Sequence, residues 1–285
     1  MLSYRHGFHA GNFVDVHKHI TLILLLQSLK RKNSAFCYID THAGRGQYDL
    51  HSEFARKNRE YETGISMLWA LSDVPAPVLA YLDAVRIVNP RFKCRGKGPR
   101  LYPGSPVIAR QFLRPQDRMV LMELHNTEAP KLRDLFKNDK QVIVHHRDGF
   151  EGLPALVPPP EKRGMVLVDP SYEIKTDFEL LIRSLVNAWL KWPNGIYAIW
   201  YPVQERQPVP RLKYEIRRSG IKKIFLHEFS IYPDTEPNRL AGSGMLVINP
   251  PWKFDKQISE VLAWLVPLLD RGARTGFHCE WLVPE

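Results

Sequence analysis

Asp169, Pro170 and Tyr172 stand together directly behind the apolar run Met165-Val166-Leu167-Val168, with Ser171 between the last two. A buried strand ending there holds a carboxylate, a backbone carbonyl and a flat ring at one edge of a parallel sheet. Two acceptors beside a ring suit the exocyclic amino group of a nucleobase, which offers two hydrogens and a face to stack on. A strand that simply ends in a proline turn would show the same residues, so the rest of the chain has to decide.

Three further signals fall at the ends of apolar runs. Phe36-Cys37-Tyr38-Ile39 leads into Asp40-Thr41-His42-Ala43-Gly44-Arg45-Gly46, where the glycines allow a tight turn and close approach of backbone to a ligand. The spacing lacks the third glycine of the dinucleotide fingerprint, so no pyrophosphate is implied. Val120-Leu121-Met122 ends in Glu123, placed to hold a ribose through its hydroxyls, and the run from Val142 reaches Asp148-Gly149, placed to accept from an adenine amino group. In this order the Asp169 segment resembles the (Asp/Asn)-Pro-Pro-(Tyr/Phe) signature of amino methyltransferases. These move a methyl group from S-adenosylmethionine to adenine N6 or cytosine N4.

A second segment, Asn249-Pro250-Pro251-Trp252, matches that signature more closely, but it lies beyond two further strand candidates, Ile196 to Tyr201 and Lys223 to Phe229. A base-binding loop belongs on the strand after Asp148, so Asn249 is assigned to a late strand and its turn. Spacing also predicts an insertion. Glu123 follows Gly46 by 77 residues, whereas a simple strand-helix-strand unit needs about 20. Residues 50–112, with amphipathic stretches at Tyr61 to Leu71 and Val78 to Val88, are expected to form a small helical subdomain over the active face of one 285-residue domain. The aliphatic run Ile20 to Leu26 is expected on the buried side of a helix that carries Lys18 and His19.

Forty Lys and Arg against thirty Asp and Glu give a net charge of +10, which favours a polyanionic partner. Arg91, Lys93, Arg95, Lys97 and Arg100 form an acid-free stretch suited either to a phosphate backbone or to plain solvation. Cys37, Cys94 and Cys279 lack the spacing of a disulfide framework or a zinc site, which points to a reducing compartment. No run approaches the roughly 20 apolar residues that span a bilayer, and no signal-peptide core stands at the start, so a cytoplasmic protein is expected. His17 and His19 point to different faces of a helix and no acidic set completes a site, so no metal is expected.

Family-specific strings run nearly end to end: Met1-Leu2-Ser3-Tyr4-Arg5-His6, Lys18-His19, Asp40-Thr41-His42-Ala43-Gly44, Tyr102-Pro103-Gly104-Ser105-Pro106, Glu123-Leu124-His125, Asp148-Gly149-Phe150, Gly195-Ile196-Tyr197-Ala198 and Trp281-Leu282-Val283-Pro284-Glu285. In these the chain resembles the J-type 23S ribosomal RNA adenine-N6 methyltransferases. The resemblance implies an α/β, Rossmann-like, S-adenosylmethionine-dependent enzyme with a seven-stranded mixed sheet and a helical insertion, acting as a monomer. It implies cofactor contacts at Lys18, His19, His42, Gly44, Ser105, Glu123, Asp148 and Gly149, with Asp169 as the catalytic acid and Tyr4 near the substrate; Pro170 and Tyr172 are expected to act with Asp169, the carbonyl as second acceptor and the ring stacking on the base. Ser171 departs from the family, whose second proline would stiffen the loop. Serine leaves the carboxylate, the carbonyl and the ring in place.

The chemistry follows from adenine itself. Its N6 lone pair is delocalised into the ring until acceptors hold both hydrogens and favour a pyramidal nitrogen. An ordinary aspartate is too weak a base to deprotonate that amine beforehand, so the proton leaves during or after transfer. The base must also be unstacked, which favours protein-free or early-assembling 23S RNA as substrate. The alternatives are a DNA adenine amino methyltransferase, which would use the same chemistry, or a role in using external DNA as a nutrient, which the family resemblance brings with it. A non-catalytic nucleic-acid-binding protein would have no need of the cofactor pocket.

Overall fold

The computed structural model describes residues 4–90, 98–174, 176–204, 209–232, 240–272 and 276–285. Arg91, Lys93, Arg95 and Lys97 of the basic stretch lie outside these, while Arg100 pairs with Asp49 at 3.2 Å. In chain order the strands are β1 (Cys37–Asp40), β2 (Gln47–Asp49), β3 (Leu101–Pro103), β4 (Arg118–Glu123), β5 (Val142–His146), β6 (Gly164–Val168), β7 (Ile196–Val203), β8 (Ile224–Ser230), β9 (Gly242–Ile248) and β10 (Gly276–Val283). The helices are α1 (Phe13–Lys30), α2 (Glu53–Asn58), α3 (Ile65–Leu68), α4 (Ala76–Ile87), α5 (Ser105–Phe112), α6 (Glu128–Phe136), α7 (Gly149–Leu156), α8 (Asp177–Lys191), α9 (Val209–Arg218) and α10 (Phe254–Leu269).

The main sheet has the order β10-β8-β9-β7-β6-β1-β4-β5. Strands β5, β4, β1, β6 and β7 are parallel, and β9, β8 and β10 join antiparallel. A seven-stranded sheet was expected, and the main sheet has eight strands among the described residues. The additional strand is the C-terminal segment, which pairs with the otherwise open edge of β8 from Phe277↔Phe229 to Trp281↔Phe225. The two central strands are wholly buried and alternate between two cores. Tyr38 and Leu167 face one, while Cys37, Ile39, Val166 and Val168 face the other.

Helix α1 is buried without interruption from Phe13 to Leu26, as a helix of the core rather than of the surface. Asn12 caps it by accepting from the Asp15 N–H at 3.0 Å. Its first core also takes in α4 and α5, whereas α7, α8 and α9 pack on the second. Between β2 and β4 the chain forms α2, α3, α4, the short β3 and α5, and Ile65, Leu68, Tyr81, Leu82 and Val85 join the same core as α1. No described helix is long and apolar enough to cross a membrane.

Chain order places the switch point of the sheet at β1, with β4 on one side and β6 on the other, so a crevice opens beyond their C-terminal ends. Burial around it fixes the state of several histidines. It pushes His17 and His19 down to about 3 and His42 down to about 4. The unfolded chain protonates these rings below about 6.5 while the native one does not, so stability is lost as pH falls through that window. Asp40 works the other way, because burial raises its carboxyl to about 6 and favours the native protonated form as pH falls. Three rings outweigh one carboxyl. At pH 5 each ring costs about 2 kcal/mol relative to pH 8 and Asp40 returns about 1 kcal/mol. Thermal unfolding should therefore show a clearly lower midpoint at pH 5 than at pH 8, and an equal or higher midpoint at pH 5 contradicts this account.

Candidate active site

A cavity of about 360 Å³ opens at the switch point. One lobe is walled by the ends of β1 and β4 and the start of α7: His42, Gly44, Glu123, Leu124, Asp148 and Gly149. The other lies past Asp169 towards β7 and the N-terminal segment, with Tyr4, His9, Ile174, Trp200, Pro202 and Leu240. Asp169 and Pro170 stand between them.

The first lobe is built by a tight turn. Gly44 has φ +60, and a Cβ there would lie 2.3 Å from the Tyr48 hydroxyl. A Cβ on Gly149 would meet the Thr41 carbonyl oxygen at 2.1 Å, so α7 starts directly against the glycine loop. Pairing of Tyr48 with Tyr102 draws the segment before α5 alongside, and Ser105 donates to the buried Asp40 carboxylate at 2.7 Å. Glu123 accepts from the Gly44 N–H and the His125 N–H, both at 2.7 Å. Burial raises its carboxyl above the ordinary range against the pull of these two bonds. Asp148 caps α7 through Oδ1, accepting from the Phe150 and Glu151 N–H groups, so its other oxygen is left to the cavity.

Asp169 belongs to a chain of buried ions. Lys18 donates to it at 2.5 Å and forms an ion pair with Asp15 at 2.9 Å. Asp15 in turn contacts His6 at 2.8 Å, and the Tyr4 hydroxyl reaches the other His6 ring nitrogen at 2.9 Å. Burial works against the charge of Lys18, but its two carboxylate partners outweigh it and hold the ammonium well above its ordinary range. Lys18 was expected as a cofactor contact. It lines the cavity, and its charge is committed to Asp15 and Asp169.

Every expected site residue except one lies on the cavity wall: Tyr4, Lys18, His19, His42, Gly44, Ser105, Glu123, Asp148, Gly149, Asp169 and Pro170. Tyr172 does not. It has φ +53, its ring packs 4.4 Å from that of Phe178 in the second core, and its hydroxyl donates to the Trp200 carbonyl at 2.5 Å. His19 meets the cavity at the back, where its Nδ1 pairs with the Tyr102 hydroxyl at 2.9 Å. The rival Asn249 lies at the opposite sheet edge, because β9 runs antiparallel to β7 and Ile248 pairs with Tyr197. There its amide donates to the Pro193 and Gly195 carbonyls at 2.7 and 2.8 Å, a turn-holding role.

Sequence reading missed His6 and Asp15, the Arg45–Glu128 ion pair that ties the glycine loop to α6, and Trp200. Asp15 and Lys18 stand at i and i+3, a legible helix pair. The others carried no local signal.

The residues present fit S-adenosylmethionine. Glu123 would hold its ribose hydroxyls and Asp148 its adenine amino group, the bare backbone at Gly44 and Gly149 gives close approach, and the surplus of carboxylates over Lys18 suits its positive charge. Replacing Glu123 with Ala should weaken S-adenosylmethionine binding by roughly 1.5–3 kcal/mol, about ten- to a hundredfold, through loss of a charged acceptor. Calorimetry on the two proteins checks this, and equal affinities would take Glu123 out of the site.

Comparison with known proteins gives the family. The Escherichia coli K12 protein called "Ribosomal RNA large subunit methyltransferase J" is 44% identical over 285 residues, the full length of both chains, and its namesake in Haemophilus influenzae Rd is 42% identical over the same span. A crystal structure of a Legionella pneumophila protein superposes with a TM-score of 0.87 at 37% identity, covering 96% of this chain and 98% of that one. The family described as "Ribosomal RNA large subunit methyltransferase D, RlmJ" matches residues 33–283. With that match over residues 33–283 and full-length relatives above 40% identity, the chain belongs to this family of S-adenosylmethionine-dependent methyltransferases.

Proposed function

We propose that the protein methylates N6 of one adenine in 23S ribosomal RNA, with Asp169 and the Pro170 carbonyl as the acceptors of the amino hydrogens. The position of Asp169 carries this reading: it lines the cavity at the end of β6, with β1 and β4, which end in the glycine loop and Glu123, on one side and β7 on the other. The names of the relatives, which act on large-subunit ribosomal RNA, support the choice of polymer.

When bound, S-adenosylmethionine supplies an electrophilic methyl group on a sulfonium. The protein aligns the amine for attack. Asp169 and Pro170 draw the two N6 hydrogens out of the base plane, returning the lone pair to nitrogen. Lys18 fixes the Asp169 carboxylate from behind, at 2.5 Å, so its other oxygen can serve the substrate. As N6 gains a methyl group it loses one proton, which Asp169 accepts and passes to water. Tyr172 braces the loop through its bond to Trp200. The base enters unstacked, so the substrate is a loop or splayed nucleotide of protein-free or early-assembling RNA. The enzyme acts as a cytoplasmic monomer, with residues 50–112 as a helical subdomain beside the cavity.

Transfer of labelled methyl groups to matched transcripts of 23S RNA, 16S RNA and double-stranded DNA tests the reading, using 23S RNA from a strain lacking the enzyme as reference. Labelling of 23S RNA alone is expected, with binding that weakens as salt rises because each neutralised phosphate releases counterions. DNA labelled at an equal or higher rate would reverse the assignment in favour of a DNA amino methyltransferase.

A further inference from the structure

We propose that Trp200 is the platform on which the extruded adenine stacks. This rests on the reading of Asp169 as the N6 acceptor and adds the surface that holds the base against it. An aromatic partner is needed because the base, once flipped, loses the stacking of its neighbours, and a side-chain ring replaces it without regard to flanking sequence. Tyr172, the ring next to Asp169 in sequence, faces the second core rather than the cavity.

Trp200 occupies the right position on a different strand. The parallel pairing of β6 with β7 ends at Val168↔Ile199, so Trp200 is level with Asp169 on the adjacent strand. It lines the second lobe with the apolar Ile174, Pro202 and Leu240, on the side away from Glu123 and Asp148. Its orientation is fixed from behind. The indole N–H donates to the Ser243 hydroxyl at 3.0 Å, and Ser243 pairs with His17 Nδ1 at 2.8 Å. His17 is completed by His227 at 2.8 Å. With its one polar atom satisfied inside the protein, Trp200 has only carbon surface to offer the cavity, as a stacking face requires. Tyr4 and His9, stacked 5.4 Å apart and within 7° of parallel, stand in the same lobe and line it with further flat groups.

Two variants test the assignment. Trp200→Leu removes the ring and should raise KM for a 23S transcript tenfold or more, while affinity for S-adenosylmethionine stays at the native value and shows the fold intact. In the second, the cofactor lobe is saturated with S-adenosylhomocysteine so that adenosine can enter the other lobe only. Adenosine should then quench the fluorescence of the native protein, and Trp200→Phe should abolish most of that quench. If Trp200→Leu does not fold, this fluorescence arm decides. Native KM in Trp200→Leu, or an undiminished quench in Trp200→Phe, overturns the platform. Asp169→Ala run beside them separates the two ideas, because full activity there defeats the underlying reading whatever Trp200 does.

Discussion

Asp169→Ala should abolish methyl transfer, by a factor on the order of 10²–10⁴, and leave S-adenosylmethionine binding unchanged. The carboxylate supplies both an acceptor that pyramidalises N6 and the first stop for the departing proton, and positioned acid–base groups contribute about that much. The fold should survive, since Lys18 keeps its ion pair with Asp15 at 2.9 Å when Asp169 is gone. Asn249→Ala is the control: its side chain holds the carbonyls of Pro193 and Gly195 at the other sheet edge, so it should lower thermal stability and spare the rate per folded molecule. Single-turnover transfer together with calorimetry checks both variants. An active Asp169→Ala with an inactive Asn249→Ala would exchange the roles of the two motifs.

The four acids at strand ends were legible because each follows an apolar run, and the parallel order of such runs fixes the edge on which they emerge. Asn249 could be set aside by its place in that order, beyond two further strands after Asp148, and in the structure β9 returns antiparallel so that its end lies at the far edge. Strand β10 was missed because its alternation is blurred: Phe277 and Trp281 are both large and partly exposed, while Leu282 is the buried one. Side-chain direction was also beyond reach. Tyr172 sits close to Asp169 in sequence, yet its left-handed backbone turns the ring into the core, whereas Trp200 comes from a strand that reads as ordinary buried sheet. A chain such as Tyr4–His6–Asp15–Lys18–Asp169 is invisible in one dimension, because its last link joins residues 151 apart.

That chain sets up the other large effect, at Lys18. Replacing it with Met keeps most of the side-chain volume and removes the ammonium that pairs with both Asp15 and Asp169. Asp15 is fully buried, and although burial alone would raise its carboxyl, His6 and Lys18 together hold it well below the usual range. Without the ammonium two carboxylates face one another in a poorly solvated site. Breaking a buried pair from one side costs about 3–5 kcal/mol. Part of that cost is recovered if one acid takes up a proton, and the protein then trades stability for the wrong charge state. Lys18→Met should therefore lower the unfolding midpoint markedly at pH 8 and less at pH 5.5, where protonation of the orphaned acids is easier. Transfer should be lost along with it, because a protonated or turned-away Asp169 no longer accepts from N6. The double variant Asp15→Asn with Lys18→Met removes one of the two stranded charges and should regain part of the stability without regaining the rate. Paired thermal scans and single-turnover assays at both pH values check this. Native stability in the single variant would mean that the ion chain is solvated and does not hold Asp169 in place.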